Sequence, residues 1–320
     1  MKKQLIAMAV GMATLVTSLA FAAPESGKEV NIGYQAASTI ILLGKAKGFF
    51  DEEFAKEGAK VKYNLFLAGP PMIEGLSGGR LDLIHTGDMP PVSGRAAGID
   101  LKVIANAGFD PAHNAVLVAP NSAIKAPKEL KGKKVGVPVG SSGHHFLFLL
   151  LAQNGLKTSD VQVVNLPATE LANALETKNV DAVAVWEPIS ANIELTGKGK
   201  ILVDSTKIKR SVNVYLTRNE FGKENPKLVE AFIRATKRAT DFFRKNPKAA
   251  QKAISAESKY PLPVVTKVTK RYDFGLAISD KDIAALEQVK DFLRETKVLK
   301  KEFEISELFD SSYLKRTGLK

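Results

Sequence analysis

Residues 133–153 read KKVGVPVGSSGHHFLFLLLAQ. A short valine-rich run, a glycine–serine turn and an apolar stretch follow one another directly. The spacing predicts a strand over Lys133 to Val139, a loop at Gly140-Ser141-Ser142-Gly143 and a helix that ends at Asn154-Gly155. Strand, loop and helix in that order are the repeating unit of a parallel α/β sheet. The most apolar part, Phe146 to Ala152, is far too short to cross a bilayer and reads as a buried helix.

The same alternation extends in both directions. Upstream, Val30 to Tyr34, Val61 to Leu67, Leu81 to Ile84, Leu101 to Ala105 and Ala115 to Val118 read as strands. Between them, Ser38 or Thr39 can cap one helix that runs through Phe54 to Gly58, and Pro70 can open a short helix ending near Gly78-Gly79. Downstream, Val161 to Leu166, Ala182 to Trp186 and Ile201 to Val203 are strands, with a helix over Leu171 to Thr177. After the strand at Val212 to Leu216 the texture changes to amphipathic helices around Leu228–Arg244, Pro247–Ala256 and Asp280–Arg294. These read as a brace for the first block. A chain that builds one lobe, then a second, and returns makes two crossings between them. The expected division is 29–117 with 215–320 as the first lobe and 118–214 as the second. No repeat, low-complexity tract or long linker interrupts this order.

The N-terminus predicts the compartment. Lys2 and Lys3, the apolar Leu5 to Leu19 and Ala20-Phe21-Ala22 have the three-part pattern of a secretory signal, with residues 1–22 removed. The chain contains no cysteine, which excludes a lipid-modified cysteine anchor, disulfides, thiolate metal sites and a cysteine nucleophile. The expected mature protein is therefore free in the periplasm and held together by its core alone. Net charge is +12, or +10 without Lys2 and Lys3. A positive field can steer anions. The basic residues are dispersed, however, and no aromatic-interleaved basic motif suggests nucleic-acid binding.

Ligands of open α/β sheets sit beyond the carboxyl ends of strands, where helix N-termini present free N–H groups and a favourable dipole for negative charge. Three loops have that composition: Ala68-Gly69-Pro70-Pro71, Thr86-Gly87-Asp88 and Gly140-Ser141-Ser142-Gly143. Each alone reads as an ordinary capped turn; together they predict a cradle of neutral donors for a singly charged anion. Tyr34, Trp186 and Tyr215 are candidate walls for its organic part. Asp88 reads as an acceptor for ligand or loop donors. Enzymatic patterns are missing. The residue after Gly143 is His144, so no G-x-S-x-G elbow forms. No phosphate-loop or dinucleotide fingerprint occurs. The adjacent His144 and His145 form no metal-ligand spacing with His85 or His113, and neither a metal nor a cofactor is expected.

At these loops the sequence resembles the periplasmic binding proteins of nitrate, sulfonate and taurine importers, most of all the aliphatic sulfonate branch. The resemblance is carried by Gly33-Tyr34-Gln35, Ala68 to Met72, Thr86 to Pro91, Gly140 to His144, and Asn179 to Ala182 followed by Trp186-Glu187-Pro188. It implies an α/β fold of two lobes, the type II architecture, joined by a two-strand hinge around a cleft. It also implies a monomer that delivers its ligand to an ABC permease in the inner membrane. Carried over by position, Gln35, Gly69, Gly87, Asp88, Ser141, Ser142 and Trp186 would line the cleft, with Glu187 and His144 beside them. Ser38, Pro70 and Tyr215 complete the expected ligand-binding set. The implied ligand is an aliphatic or aryl-substituted sulfonate; taurine, nitrate or an aromatic carboxylate is the alternative, and a periplasmic hydrolase a distant one. Pro71, Glu187 and His145 stand where sulfonate binders often carry Gln, Asp, and Asn or Tyr, so the end of the pocket for the organic group is expected to differ.

Overall fold

The first strand, β1 (Lys28–Tyr34), buries Val30 and Ile32 and ends at the loop Gln35 to Ser38. This is a computed structural model, and it describes residues 27–319. The expected signal segment 1–22 lies outside them. After the loop come α1 (Thr39–Ala46) and α2 (Phe49–Ala55), not one continuous helix. Gly48, at φ 70°, separates them, and the left-handed residue breaks the hydrogen-bond ladder and turns the chain.

The first lobe continues with β2 (Ala59–Leu65), α3 (Gly69–Ser77), β3 (Leu83–Gly87), α4 (Met89–Ala96) and β4 (Leu101–Phe109). Helix α4 was not foreseen. Pro90 and Pro91 read as a loop in isolation, but they fall in the helix's first turn, where no N–H bond is lost. The chain then crosses through 110–113 and builds the second lobe. Its elements are β5 (Asn114–Val118), β6 (Lys134–Val137), α5 (Ser142–Gln153), β7 (Gln162–Asn165), α6 (Leu171–Glu176), β8 (Ala182–Trp186), α7 (Ile189–Leu195) and β9 (Lys200–Asp204). A second crossing through 205–211 returns the chain. It enters β10 (Val212–Arg218), then α8 (Asn219–Glu224), α9 (Pro226–Lys245), α10 (Pro247–Ser258), α11 (Leu262–Thr269), α12 (Asp280–Glu295) and α13 (Ser312–Arg316).

The strands form two five-stranded mixed sheets, ordered β2-β1-β3-β10-β4 and β7-β6-β8-β5-β9. Each sheet has a single reversed strand: β10 is antiparallel to β3 and β4, and β5 to β8 and β9. These two are the strands that arrive from the other lobe. A chain crossing the junction starts its new strand there and runs away from it. The other eight strands therefore end at the junction, with their carboxyl ends facing the cleft. The expected lobe limits shift accordingly. A boundary at 117/118 would cut β5 at its last residue, although the whole strand pairs in the second sheet. A boundary at 214/215 would divide β10, although the whole strand pairs in the first.

The core of the first lobe has two sides. Ile41, Phe50, Phe54, Tyr215, Phe232 and Ile233 pack α1, α2 and α9 on one face of the sheet, and Met72, Leu76, Ile84, Leu286 and Val289 pack α3, α4 and α12 on the other. The second sheet is covered by Phe146, Leu147 and Leu150 of α5 on one face and by Leu171, Leu175 and Ile193 on the other. The C-terminal helices do more than brace the first lobe. Val264 and Val268 of α11 pack on Ala191 of α7, and Phe292 of α12 contacts Phe148 of α5 with ring centroids 4.6 Å apart. Among the described residues no helix is long and apolar enough to cross a membrane.

Candidate functional site

The loops at the strand ends meet because the eight carboxyl ends converge. Glycines set how closely. A Cβ on Gly87 would lie 3.2 Å from Ser142 of the opposite lobe, and one on Gly69 would lie 2.4 Å from Thr86 Oγ1. The contact at Gly69 is closer than a Cβ is found, and the one at Gly87 would require Ser142 to give by a few tenths of an ångström, so glycine lets the walls close.

The result is a cavity between the lobes. Gln35 and Ala37 follow β1, Gly69 starts α3, and His85, Thr86 and Gly87 end β3 beside Pro90 of α4. Ser141 and Ser142 at the start of α5 and Trp186 at the end of β8 face them, with His113 of the first crossing and Asn213 of β10 closing the back. The cavity volume is ≈ 10 Å³, about the space of one water position. A second cavity of ≈ 110 Å³ begins at the same Gln35, Ala37 and Trp186 and runs outward past Leu65, Phe66, Leu67, Ala168, Ile189 and Tyr260. Leu65 and Leu67 are exposed at its mouth.

The inner cavity is a site of neutral donors. No Lys, Arg, Asp or Glu is among its lining residues. Ser141 Oγ caps α5 by accepting from His144 N at 3.3 Å, so its own proton is free. Ser142 Oγ accepts from Asn114 Nδ2 at 3.2 Å, and Ser211 Oγ donates to Asn114 Oδ1 at 2.9 Å. That chain leaves the Ser142 proton free as well. Thr86 Oγ1 is buried without a partner among the described residues. Ser38 Oγ accepts from Gln35 N at 2.9 Å and lies 2.7 Å from His85 Nδ1. Burial, and then the field of His113, lowers the His85 pKa to about 3; burial, Lys209 and Arg271 lower that of His113 to about 3. Both rings are neutral.

The charges sit behind this cavity. Lys209 Nζ, on the second crossing, lies 3.0 Å from Asp88 Oδ1 and donates to Ser142 O at 3.1 Å. Both residues are fully buried; burial pushes the Asp88 carboxyl up and the Lys209 ammonium down, and each opposes the other's shift. Arg271 binds Glu187 Oε1 at 2.6 Å and Asp110 Oδ2 at 3.1 Å, with the Glu187 carboxyl raised by burial against that bond.

Of the residues expected from sequence, Gln35, Gly69, Gly87, Ser141, Ser142 and Trp186 line the inner cavity. Ser38 lies one layer beneath, holding His85. Pro70 faces Gly140 across the cleft mouth, its Cγ 3.4 Å from where a Cβ there would stand. Four are elsewhere. Asp88 turns inward because Lys209 supplies a buried partner. Glu187 lines a different cavity, next to α11, and is held by Arg271. His144 packs against Phe292 of α12, ring centroids 5.6 Å apart. Tyr215 is a core residue between His85 and Phe232, because β10 is central in its sheet. Sequence reasoning placed Thr86 in the Gly87 loop without assigning it a role, and missed Ala37, His85, Pro90, His113 and Asn213. Pro90 follows that loop and was within its reach; His113 and Asn213 carry no local mark.

The model of the family described as NMT1/THI5 like matches residues 35–250. A Bacillus subtilis (strain 168) protein named as a candidate aliphatic sulfonates-binding protein is 35% identical over 295 residues, 90% of this chain and 88% of its own. The crystal structure of the periplasmic aliphatic sulphonate binding protein SsuA from Escherichia coli has the same two-lobe architecture, with 29% identity and a TM-score of 0.77. The match covers 88% of this chain and 97% of that one. The alkanesulfonate-binding protein SsuA from Xanthomonas axonopodis pv. citri, bound to MOPS, superimposes with a TM-score of 0.80 at 25% identity, over 88% and 98% of the two chains.

Proposed function

The chain belongs to the NMT1/THI5-like family, as a substrate-binding protein of ABC import and not an enzyme, and from that premise we propose that it captures a sulfonate bearing an aliphatic or aryl group in the periplasm and hands it to an inner-membrane permease. In this reading residues 1–22 direct secretion, the mature chain carries no lipid anchor, and it works as a monomer.

The observation that carries the reading is the two-part cleft. A donor-lined inner cavity without a lining charge suits a weakly basic monoanion, whose oxygens accept from Ser141, Ser142, Thr86 and the α5 N-terminus. The outer cavity suits the organic group, with Trp186 shared between the two. Nitrate would leave the outer cavity empty. Taurine's ammonium would find no carboxylate among the residues lining either part. An aromatic carboxylate is the second reading, because the wall at Trp186 and Tyr260 accepts a ring. The ≈ 10 Å³ inner cavity is too small for a sulfonate group as it stands, so in this reading the bound form holds the lobes further apart than here.

Thermal unfolding of ligand-stripped protein tests this with butanesulfonate, benzenesulfonate, benzoate, taurine, nitrate and sulfate. A ligand at 100 times its Kd adds about 2.7 kcal/mol, which is a rise of about 4 °C for a chain of this size. The expected result is a rise with the two sulfonates. A rise with benzoate alone replaces the ligand by a carboxylate, and no rise with any of the six refutes the reading.

A further inference from the structure

His113 is the lining residue that neither lobe supplies. It sits at the end of the first crossing, 3% exposed, with its backbone fixed at both ends: its N–H donates to Asp110 O at 3.2 Å, and its carbonyl accepts from Glu187 N at 2.8 Å. The residue lines the inner cavity and also the neighbouring one beside α11, and its ring stands edge-on to Tyr272 with centroids 6.1 Å apart. Nδ1 is buried without a partner among the described residues. Native structures rarely leave such an atom unpaired, since each costs the full desolvation of a polar group. Both ring nitrogens of His145 are also unpartnered, yet that ring packs on Phe292 and lines neither cavity. His113, by contrast, lines both cavities.

We propose that His113 is a specificity-determining residue, whose neutral ring donates a hydrogen bond to the bound anion. The assignment rests on the reading of the inner cavity as the anion site. A neutral imidazole has one N–H to give and no net charge, and the neighbouring cations Lys209 and Arg271 oppose its protonation. The donor therefore suits an oxygen that only accepts, as in a sulfonate. It offers no second positive charge, so a dianion such as sulfate gains little from it.

The test is calorimetric titration of wild type, His113→Leu and His113→Gln with butanesulfonate and with benzoate. A parallel spectrum follows the histidine ring nitrogens of ¹⁵N-labelled wild type. His113→Leu is expected to lose about 10- to 100-fold in affinity, the scale of one hydrogen bond to a charged group. His113→Gln, which keeps an N–H, is expected to recover most of that loss. In wild type, one set of ring-nitrogen signals, absent from both variants, shifts on titration. Wild-type affinity in His113→Leu, or ring signals that stay still while the ligand binds, overturns the assignment and leaves the anion site standing. Failure of wild type to bind either probe overturns the anion site and the assignment with it.

Discussion

Two buried polar regions lie side by side beneath the first turns of α4 and α5, and they are built on opposite plans. In the inner cavity the groups are neutral and partly unpaired: Thr86 Oγ1 and His113 Nδ1 have no partner among the described residues, and the Ser141 and Ser142 protons are free. Just behind it, Asp88 and Lys209 are buried against each other, and Lys209 also donates to the Ser142 carbonyl. The first region leaves bonds for a guest. The second pairs Asp88 Oδ1 with Lys209, leaving only Asp88 Oδ2 without a partner among the described residues, and pins a helix start from each lobe to the returning crossing. A buried ion pair adds little net stability, but removing one member is expensive. Its value here is positional: it holds the donors without adding charge to the cavity they line.

The largest effect is expected where the paired region is broken. Lys209→Met leaves Asp88 buried and alone, and should cost about 3–5 kcal/mol, read by urea denaturation. The double variant Lys209→Met/Asp88→Leu should recover most of it. A cost below about 1 kcal/mol for the single variant would mean that the pair does not hold the junction.

Protonation attacks the neutral region instead. Burial, Lys209 and Arg271 hold the His113 pKa down to about 3 in the folded chain, against an ordinary value of 6.5. Between those values the unfolded chain binds a proton that the folded chain refuses, so this contribution to stability is intact above 6.5 and falls as the pH falls. The slope is about 1.4 kcal/mol per pH unit. The raised carboxyls of Asp88 and Glu187 slope the other way. The difference between wild type and His113→Gln therefore isolates the histidine: the variant's stability should fall less steeply from pH 6.5 to 5 by that amount. Parallel curves would show that the ring is not held neutral.

The smallest change joins the two plans. Asn114 donates to Ser142 Oγ, which frees the Ser142 proton for the cavity. Asn114→Asp puts an acceptor there and draws that proton inward. Affinity for butanesulfonate should fall about tenfold, or about 1.4 kcal/mol, measured by calorimetry. Unchanged affinity would place the Ser142 hydroxyl outside the recognition set.

The alternation around residues 133–153 was enough to predict the α/β class, most strands, and the loops at Gly69, Gly87 and Ser141-Ser142. Each of these depends on a few consecutive residues: a glycine where the chain must turn or approach, a serine where a helix begins, an apolar run of fixed period. What the sequence did not disclose depends on partners far along the chain. Asp88 looked free until Lys209, 121 residues later, was brought against it. Tyr215 looked like a cleft wall until β10 was placed between β3 and β4. His113 and Asn213 are unmarked locally and enter the cavity only because each lies where the chain crosses from one lobe to the other. By itself, then, the sequence determined where helices start and what their first turns offer an anion, because those are local properties of backbone and side chain. Only the tertiary structure decided which donors remain unpaired and which charges cancel, because hydrogen-bond and charge partners are set by proximity in space.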